Sequence, residues 1–437
     1  MSTNSNVQNP AATLLAAVDA AMPLAGEMFA DLARNTAGAR GVTRASYGEG
    51  EQYAHRMLTA TGASLGLERE VDAAGNLYLT LPGKDRAAPK WIVGSHMDSV
   101  PEGGNYDGAA GVLAGVVAVA GMKKAGYTPT RDVTVMAIRA EETGSWFSGL
   151  HGGHLGSRMA LGALTGDEPD IARRVDTGRS LREHMRDCGF DAAAVLKGPP
   201  HLRAERIHGY LELHIEQGPL LEAKGLPVGV VNGIRGNSRL RDARCVGEYN
   251  HGGATPQEMR KDAVVATAEL IGEIDRAWRE GVAVGRDLVF TVGKLGTDPK
   301  MHSLSKVPGE VFFSLDLRSY QSATLAYMRD LVVAQAREIG NRREVRFELG
   351  GYSVTAPGVL DEKFRAALAH GCTELAIPFM EIASGGGHDA ADFSAAGVPA
   401  AMIFVRNANG SHKAEEAMSL DDFAHGTRLL AWMLATH

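Results

Sequence analysis

The sequence predicts an α/β protein whose main domain carries a largely parallel sheet and is interrupted by a smaller β-α-β-β-α-β domain. Two observations predict it. Short apolar runs of strand character alternate with helix-period segments toward both ends of the chain, the pattern of a parallel sheet covered by helices. Between them, residues 238–349 switch to strand, helix, two strands, helix and strand, the ferredoxin-like order. The expected boundaries are 1–232 with 351–437 for the main domain and 233–350 for the inserted one.

Taken in order, residues 11–36 repeat small and apolar side chains at helical spacing. Asp72-Ala73-Ala74-Gly75-Asn76 reads as a turn between two strands. Trp91-Ile92-Val93 reads as a buried strand running into Gly94-Ser95-His96-Met97-Asp98-Ser99-Val100, with Asn105-Tyr106-Asp107-Gly108 just beyond. A helix from about Gly108 to Ala125 follows, its positive N-terminal end directed at the Asp107 region. A strand over 133–138 leads to Glu141-Glu142, and one over 209–213 leads to His214-Ile215-Glu216-Gln217-Gly218. A late strand over 400–405 follows Gly385-Gly386-Gly387-His388-Asp389. In the inserted segment, strands are expected over 238–247, 288–295, 309–317 and 344–349, with helices over 262–279 and 321–341.

A chain of 437 residues suffices for two domains with proper cores. Its 44% apolar and 22% charged content is that of an ordinary globular protein. A formal net charge of -7 without a long basic run argues against a nucleic-acid partner. Met1 to Pro10 holds no Lys or Arg and Asp19 interrupts the next stretch, so no signal peptide is expected. The longest apolar run, Gly111 to Met122, is too short for a bilayer, so no membrane partner is expected either. Cys188, Cys245 and Cys372 are odd in number and far apart, which suggests reduced thiols in a cytoplasmic protein.

The polar residues gather where strands end, the place where open α/β sheets keep their chemistry. His96, His214 and His388 with Asp107 and Glu142 suit a pair of borderline cations such as Zn²⁺, Mn²⁺, Co²⁺ or Ni²⁺. Two such ions about 3.5–4 Å apart can share one carboxylate. Asp107 is expected to bridge, with His96 and His214 on one side and Glu142 and His388 on the other. Adjacent carboxylates on a strand point opposite ways, so with Glu142 on a metal Glu141 is left to take a proton from water. Asp98 stands where a partner for the second nitrogen of His96 belongs. Each residue alone has an ordinary reading, a solvated Glu pair or a satisfied core histidine. Their joint position at strand ends argues for a site.

Gly-Ser-His-Met-Asp-Ser-Val-Pro, Asn-Tyr-Asp-Gly, the Glu pair, Glu-Leu-His-Ile-Glu-Gln-Gly and Gly-His-Asp-Ala resemble the M20 metallopeptidase-related amidases. The resemblance is to the hydantoinase/carbamoylase type, a group of N-carbamoyl-L-amino acid hydrolases, β-ureidopropionases and allantoate amidohydrolases. It runs from Gly41-Val42-Thr43-Arg44 to Gly410-Ser411-His412. It implies a two-metal catalytic domain and a lid domain that also makes a homodimer. Its implied ligands are His96, Asp107, Glu142, His214 and His388, with Glu141 the general base.

Further residues follow by the same resemblance. His251 corresponds to a histidine that reaches into the partner subunit's site and stabilises the oxyanion. Arg318 corresponds to the arginine that clamps the substrate carboxylate, and Gln217 is also expected at the substrate. Ser305 stands where the family keeps an asparagine, Asn237 where it keeps a glutamine, and Trp146 where an arginine is usual. The implied reaction is hydrolysis of a linear C–N bond in a small substrate bearing a carboxylate, first an N-carbamoyl-L-amino acid. Allantoate, a ureido acid or an N-acyl amino acid are alternatives within that chemistry. A metal-binding protein without catalysis is the alternative of another class, and Glu141 speaks against it, because a structural site needs no base.

Overall fold

The computed structural model describes residues 10–437. They fall into two compact units, the first running to Asn232 and resuming over Val359–His437, the second Gly233–Gly358. The strands in chain order are β1 (Glu68–Val71), β2 (Leu77–Leu81), β3 (Lys90–His96), β4 (Val133–Ile138), β5 (Ile207–Ile215) and β6 (Val228–Ile234). The second unit holds β7 (Gly236–Val246), β8 (Val289–Thr291), β9 (Leu295–Gly296), β10 (Glu310–Ser319), β11 (Arg346–Glu348) and β12 (Ser353–Thr355). The chain then returns for β13 (Phe379–Ser384) and β14 (Ala400–Val405).

Eight strands form the sheet of the first unit, in the order β1-β2-β4-β3-β5-β14-β6-β13. The central four, β4-β3-β5-β14, are parallel. β1, β2 and β4 pair antiparallel in turn, as does β6 with β14. The sheet is therefore mixed, which corrects the expectation of a largely parallel one. The connections are the cause. β1 and β2 are a hairpin closed by Asp72, whose carboxylate accepts from the Asn76 N–H at 2.9 Å and from its side-chain amide at 2.8 Å. β6 follows β5 after one short helix, Leu220–Lys224, which turns the chain back along the sheet.

β4 and β14 are buried at every position, as strands covered on both faces must be. The helix Ala109–Lys124 lies against the sheet and is buried continuously from Ala109 to Met122. Its small residues permit that approach: a Cβ at Gly111 would stand 2.2 Å from the Leu213 carbonyl oxygen. Val112, Leu113, Val116 and Val117 are fully buried there, and each such side chain contributes about 1.5–3 kcal/mol relative to exposure. Helices Pro10–Asp19, Met22–Asn35 and Leu420–Thr436 pack against this central helix.

Ala12–Asn35 is by length and composition apolar enough to cross a membrane. Here it is two helices broken at Ala20 and Ala21, and Leu14, Val18, Met28, Phe29 and Leu32 enter the core.

The sheet of the second unit is antiparallel, in the order β8-β10-β7-β11, with β9 added on β10 and β12 on β7. Burial alternates along β10, the period-two pleat of a strand with one face in a core. That core is shared with helices Ala263–Ala283 and Ser322–Arg343, the first capped by Asp262. The pairing of β12 with β7 carries the unit to Gly358, past the boundary expected at 350.

Candidate metal centre

The ends of β3, β4 and β5 and the start of the helix Ala109–Lys124 deliver the polar residues to one place. Gly108 makes the entry to that helix, with φ +66°, and a Cβ there would stand 2.4 Å from the His96 ring. Only glycine meets both demands. Asp107 is thereby set between two imidazoles: its Oδ1 lies 3.3 Å from His96 Nε2 and 3.2 Å from His214 Nε2.

The tautomers decide what these contacts mean. His96 Nδ1 sits 3.1 Å from the Asp98 carbonyl and 3.3 Å from its carboxylate, and His214 Nδ1 sits 2.9 Å from the Ile215 carbonyl. Acceptors hold both Nδ1 protons, so each Nε2 turns a lone pair toward Asp107. The Gly108 N–H, which donates to His214 Nε2 at 3.3 Å, fits that tautomer. Asp107 Oδ1 is correspondingly a buried acceptor without a hydrogen bond.

Three lone pairs facing one point suit a cation. Ligand atoms about 2.0–2.1 Å from a tetrahedral ion lie roughly 3.3 Å from one another, the spacing seen here. The field agrees. Burial works against a charged His214, yet Asp107 pushes its pKa up to about 9. His96 is likewise driven well above its ordinary value, against burial, by Glu141, Asp107 and Asp98. Without a metal these shifts favour protonated imidazoles, and a cation between them would supply that positive charge in place of the protons and free both Nε2 atoms to ligate it.

A second group forms on the other side of Asp107. His412 Nε2 stands 3.1 Å from Glu142 Oε1 and 3.5 Å from Asp107 Oδ2, and those two carboxylates push its pKa up to about 11. Asp107 Oδ2 also accepts from Gln217 Nε2 at 2.8 Å and Ser411 Oγ at 2.6 Å. Glu416 steadies the loop by accepting from the N–H groups of Tyr106 and Asp107, and it competes with Asp107 for the one Ser411 hydroxyl proton.

His388, expected beside Glu142, belongs instead to a buried group with Glu212 and His214. Its Nε2 is 2.7 Å from Ser384 Oγ, its ring meets His214 edge-on at 4.6 Å, and burial followed by the His214 charge lowers its pKa well below the usual. The reason is positional. His388 precedes the helix Asp389–Ala395, whose second N–H, from Ala390, donates to Glu212, which draws that loop down beside β5. Sequence reasoning quoted His412 only as the end of the resemblance. The signal was there: a Ser-His pair following β14, hence at another strand end.

Glu141 and Glu142 follow a turn at Ala140 with φ +52°, an αL position that β-carbon residues seldom take. Asp98 holds the turn open: its carboxylate accepts from the N–H groups of Glu141 and Glu142 at 3.0 and 3.1 Å and from Ser46 Oγ at 2.5 Å. One carboxylate thus orients His96 and both glutamates. Burial raises Glu141 to about 7, with Glu142 and Asp98 adding to the effect and His96 and His154 opposing it. His154, not singled out in the sequence, lies 3.4 Å from Glu141 through Nε2 and 2.7 Å from Asp392 through Nδ1. Trp146 is buried, and its indole N–H donates to the Ser99 carbonyl at 2.8 Å, so it supports the loop after β3.

The remaining candidates lie in the second unit. Arg318 on β10 is the register partner of Asn237 on β7 and pairs with Asp316 at 2.9 Å. Asn237 Oδ1 is buried without a hydrogen bond. His251 is exposed, its Nδ1 accepts from the Ala254 N–H at 3.0 Å, and Ser305 is its neighbour through the Gly252 N–H to Ser305 carbonyl bond of 2.7 Å. Within this unit Arg318 is grouped with Asn237, and His251 with Ser305.

Comparison with known proteins agrees with this chemistry. The N-carbamoyl-L-amino acid amidohydrolase of Geobacillus stearothermophilus is 34% identical over 400 residues, 90% of this chain and 94% of that protein. The allantoate amidohydrolase of Escherichia coli (strain K12) is 33% identical over 399 residues, 91% and 93% of the two chains. The crystal structure of an amidase of the hydantoinase/carbamoylase family from Burkholderia multivorans superposes with a TM-score of 0.84 at 26% identity, covering 95% of this chain and 97% of that one. Residues 92–436 match peptidase family M20/M25/M40, a metal-dependent family, and the chain belongs to it.

Proposed function

We propose that this protein is a two-metal amidohydrolase that cleaves the carbamoyl C–N bond of N-carbamoyl-L-amino acids. The observation that carries the metal chemistry is Asp107 Oδ1, buried without a hydrogen bond between two imidazole nitrogens. The substrate class rests on the likeness to the amidohydrolases named above. In this reading His96, Asp107 and His214 hold one ion and Asp107, Glu142 and His412 the other, both drawn from Zn²⁺, Mn²⁺, Co²⁺ or Ni²⁺. When bound, the pair lowers the pKa of water and polarises the carbonyl.

The chain's own groups do the rest. Glu141, raised to about 7, takes a proton from the attacking water and returns it to the leaving nitrogen. Asp98 fixes the direction of Glu141 through its backbone N–H, and His154 holds the carboxylate from the other side. Arg318, with Asn237 beside it, clamps the substrate carboxylate, Gln217 and Ser305 line the substrate, and His251 donates to the oxyanion across a homodimer. A site without catalysis would have no use for a carboxyl group poised near neutrality.

Allantoate is the second reading, favoured by an identity to the Escherichia coli enzyme nearly equal to that for the carbamoylase. A panel of N-carbamoyl, N-formyl and N-acyl L-amino acids and allantoate separates the two. The highest kcat/KM is expected on an N-carbamoyl-L-amino acid, and an allantoate value tenfold higher would reverse the assignment. The reading also places the enzyme in the cytoplasm, supported by three free thiols, and its recovery in a membrane fraction would contradict that.

A further inference from the structure

At the end of the main sheet opposite the candidate metal centre, a cavity of about 290 Å³ is lined by Arg86, Lys90, Asp132, His201, Arg203 and Arg206, among others. Its position follows from the topology: Lys90 opens β3, which ends at His96, and Ile207 opens β5, which passes through His214. Its charge is predominantly positive, with Asp132 the carboxylate in the lining. Arg86 is neutralised by Glu68 at 2.7 Å and Asp132 at 3.0 Å, and Asp132 also accepts from the Gly83 N–H. No carboxylate lies within ion-pair distance of Lys90, Arg203 or Arg206 among the described residues. The other nearby acid is Glu70, 3.8 Å from His201 and largely exposed.

These cations are aimed, not scattered. Arg203 and Arg206 bracket the 3₁₀ turn Ala204–Arg206, and side chains three apart on such a turn eclipse one another. Lys90 is half-buried with its ammonium 5.8 Å over the Tyr78 ring, and the His201 ring packs against the same phenol with centroids 4.6 Å apart. Burial lowers the Lys90 pKa and Arg206 adds to that, against Glu70 and Asp132, so an anion entering the cavity would favour its charge. Three cations around one concavity repel one another and concentrate anions.

We propose that this cavity is a binding site for a phosphate group, free or as a small phosphate monoester. Two guanidinium groups and an ammonium match the three peripheral oxygens of a phosphate dianion. The volume lies at the small end of ligand sites, about 300–1,000 Å³, and leaves room for the short chain of an ester.

Isothermal titration of the metal-loaded enzyme with inorganic phosphate and, separately, glycerol 3-phosphate tests it, with sodium chloride at matched ionic strength as control. Saturable binding of one equivalent per subunit is expected for at least one of them, with Kd below about 1 mM. A tighter Kd for the ester assigns the monoester, and equal or weaker binding assigns free phosphate. Arg203→Ala/Arg206→Ala, two exposed side chains, should weaken binding at least tenfold with kcat/KM for the amide substrate unchanged. Lys90→Met, which keeps the packed stem, should do the same. Binding that survives in both variants lies elsewhere, at the metals for example, and overturns the assignment, as does no saturable binding of either probe below about 10 mM.

Discussion

The imidazole of His412 stands 3.1 Å from the carboxylate of Glu142, although 270 residues separate them in sequence (412 − 142), while His388 is turned toward Ser384 and His214. In the proposed reading this relationship makes His412, in place of His388, the fifth ligand. His412→Ala should remove about one metal equivalent per subunit, a loss larger than the roughly 10–100-fold drop in affinity that follows removal of an outer partner. His388→Ala should keep both equivalents. Elemental analysis of the two purified variants decides it, and the opposite pattern would return His388 to the metal.

Glu141→Gln preserves shape and the hydrogen bond from its backbone to Asp98 but accepts no proton. Turnover should fall by about 10²–10⁴-fold with metal content unchanged. A rate within a few-fold of the parent would place the base elsewhere.

The main domain could be anticipated because its signals are local. β14 is an unbroken apolar run and β4 is one but for Thr134, and the strand-end residues His96, Glu141, Glu142 and His214 follow directly from where such runs stop. Strand direction was not legible, because it depends on whether a connection such as Leu220–Lys224 crosses the sheet or doubles back. His388 and His412 were both visible in the sequence, each after a small-residue loop, and only the tertiary pull of Glu212 on Ala390 separates them. His154 and Asp392 gave no signal, being joined across 238 residues.

The loop that carries His154 depends on one buried ion pair. Glu168 accepts from Arg158 at 2.9 and 2.6 Å, and although burial raises its pKa, Arg158 and Thr165 pull it down to about 2. A depressed folded pKa means stability that is present above the ordinary glutamate value and lost as pH falls toward 2. Arg158→Ala should cost about 3–5 kcal/mol at pH 7, because it leaves a buried charge unpaired. Denaturant midpoints should show that gap narrowing between pH 5 and pH 3. An equal gap at both would mean that the arginine acts through packing alone.

His251 lies in the second unit, and its proposed role is to complete a partner's site. Glu141→Gln and His251→Ala homodimers should each be inactive, the second by about 10²–10³-fold. Mixed dimers carry one site with both defects and one with neither, so activity should reappear. No recovery in heterodimers verified by mass spectrometry would remove His251 from the neighbouring site.

The most direct test of the whole account is metal stoichiometry measured beside turnover of an N-carbamoyl-L-amino acid. Chelation should strip about two divalent ions per subunit and abolish hydrolysis, and returning Mn²⁺, Co²⁺, Ni²⁺ or Zn²⁺ should restore both together. Full activity in a preparation shown by elemental analysis to be free of metal would contradict it.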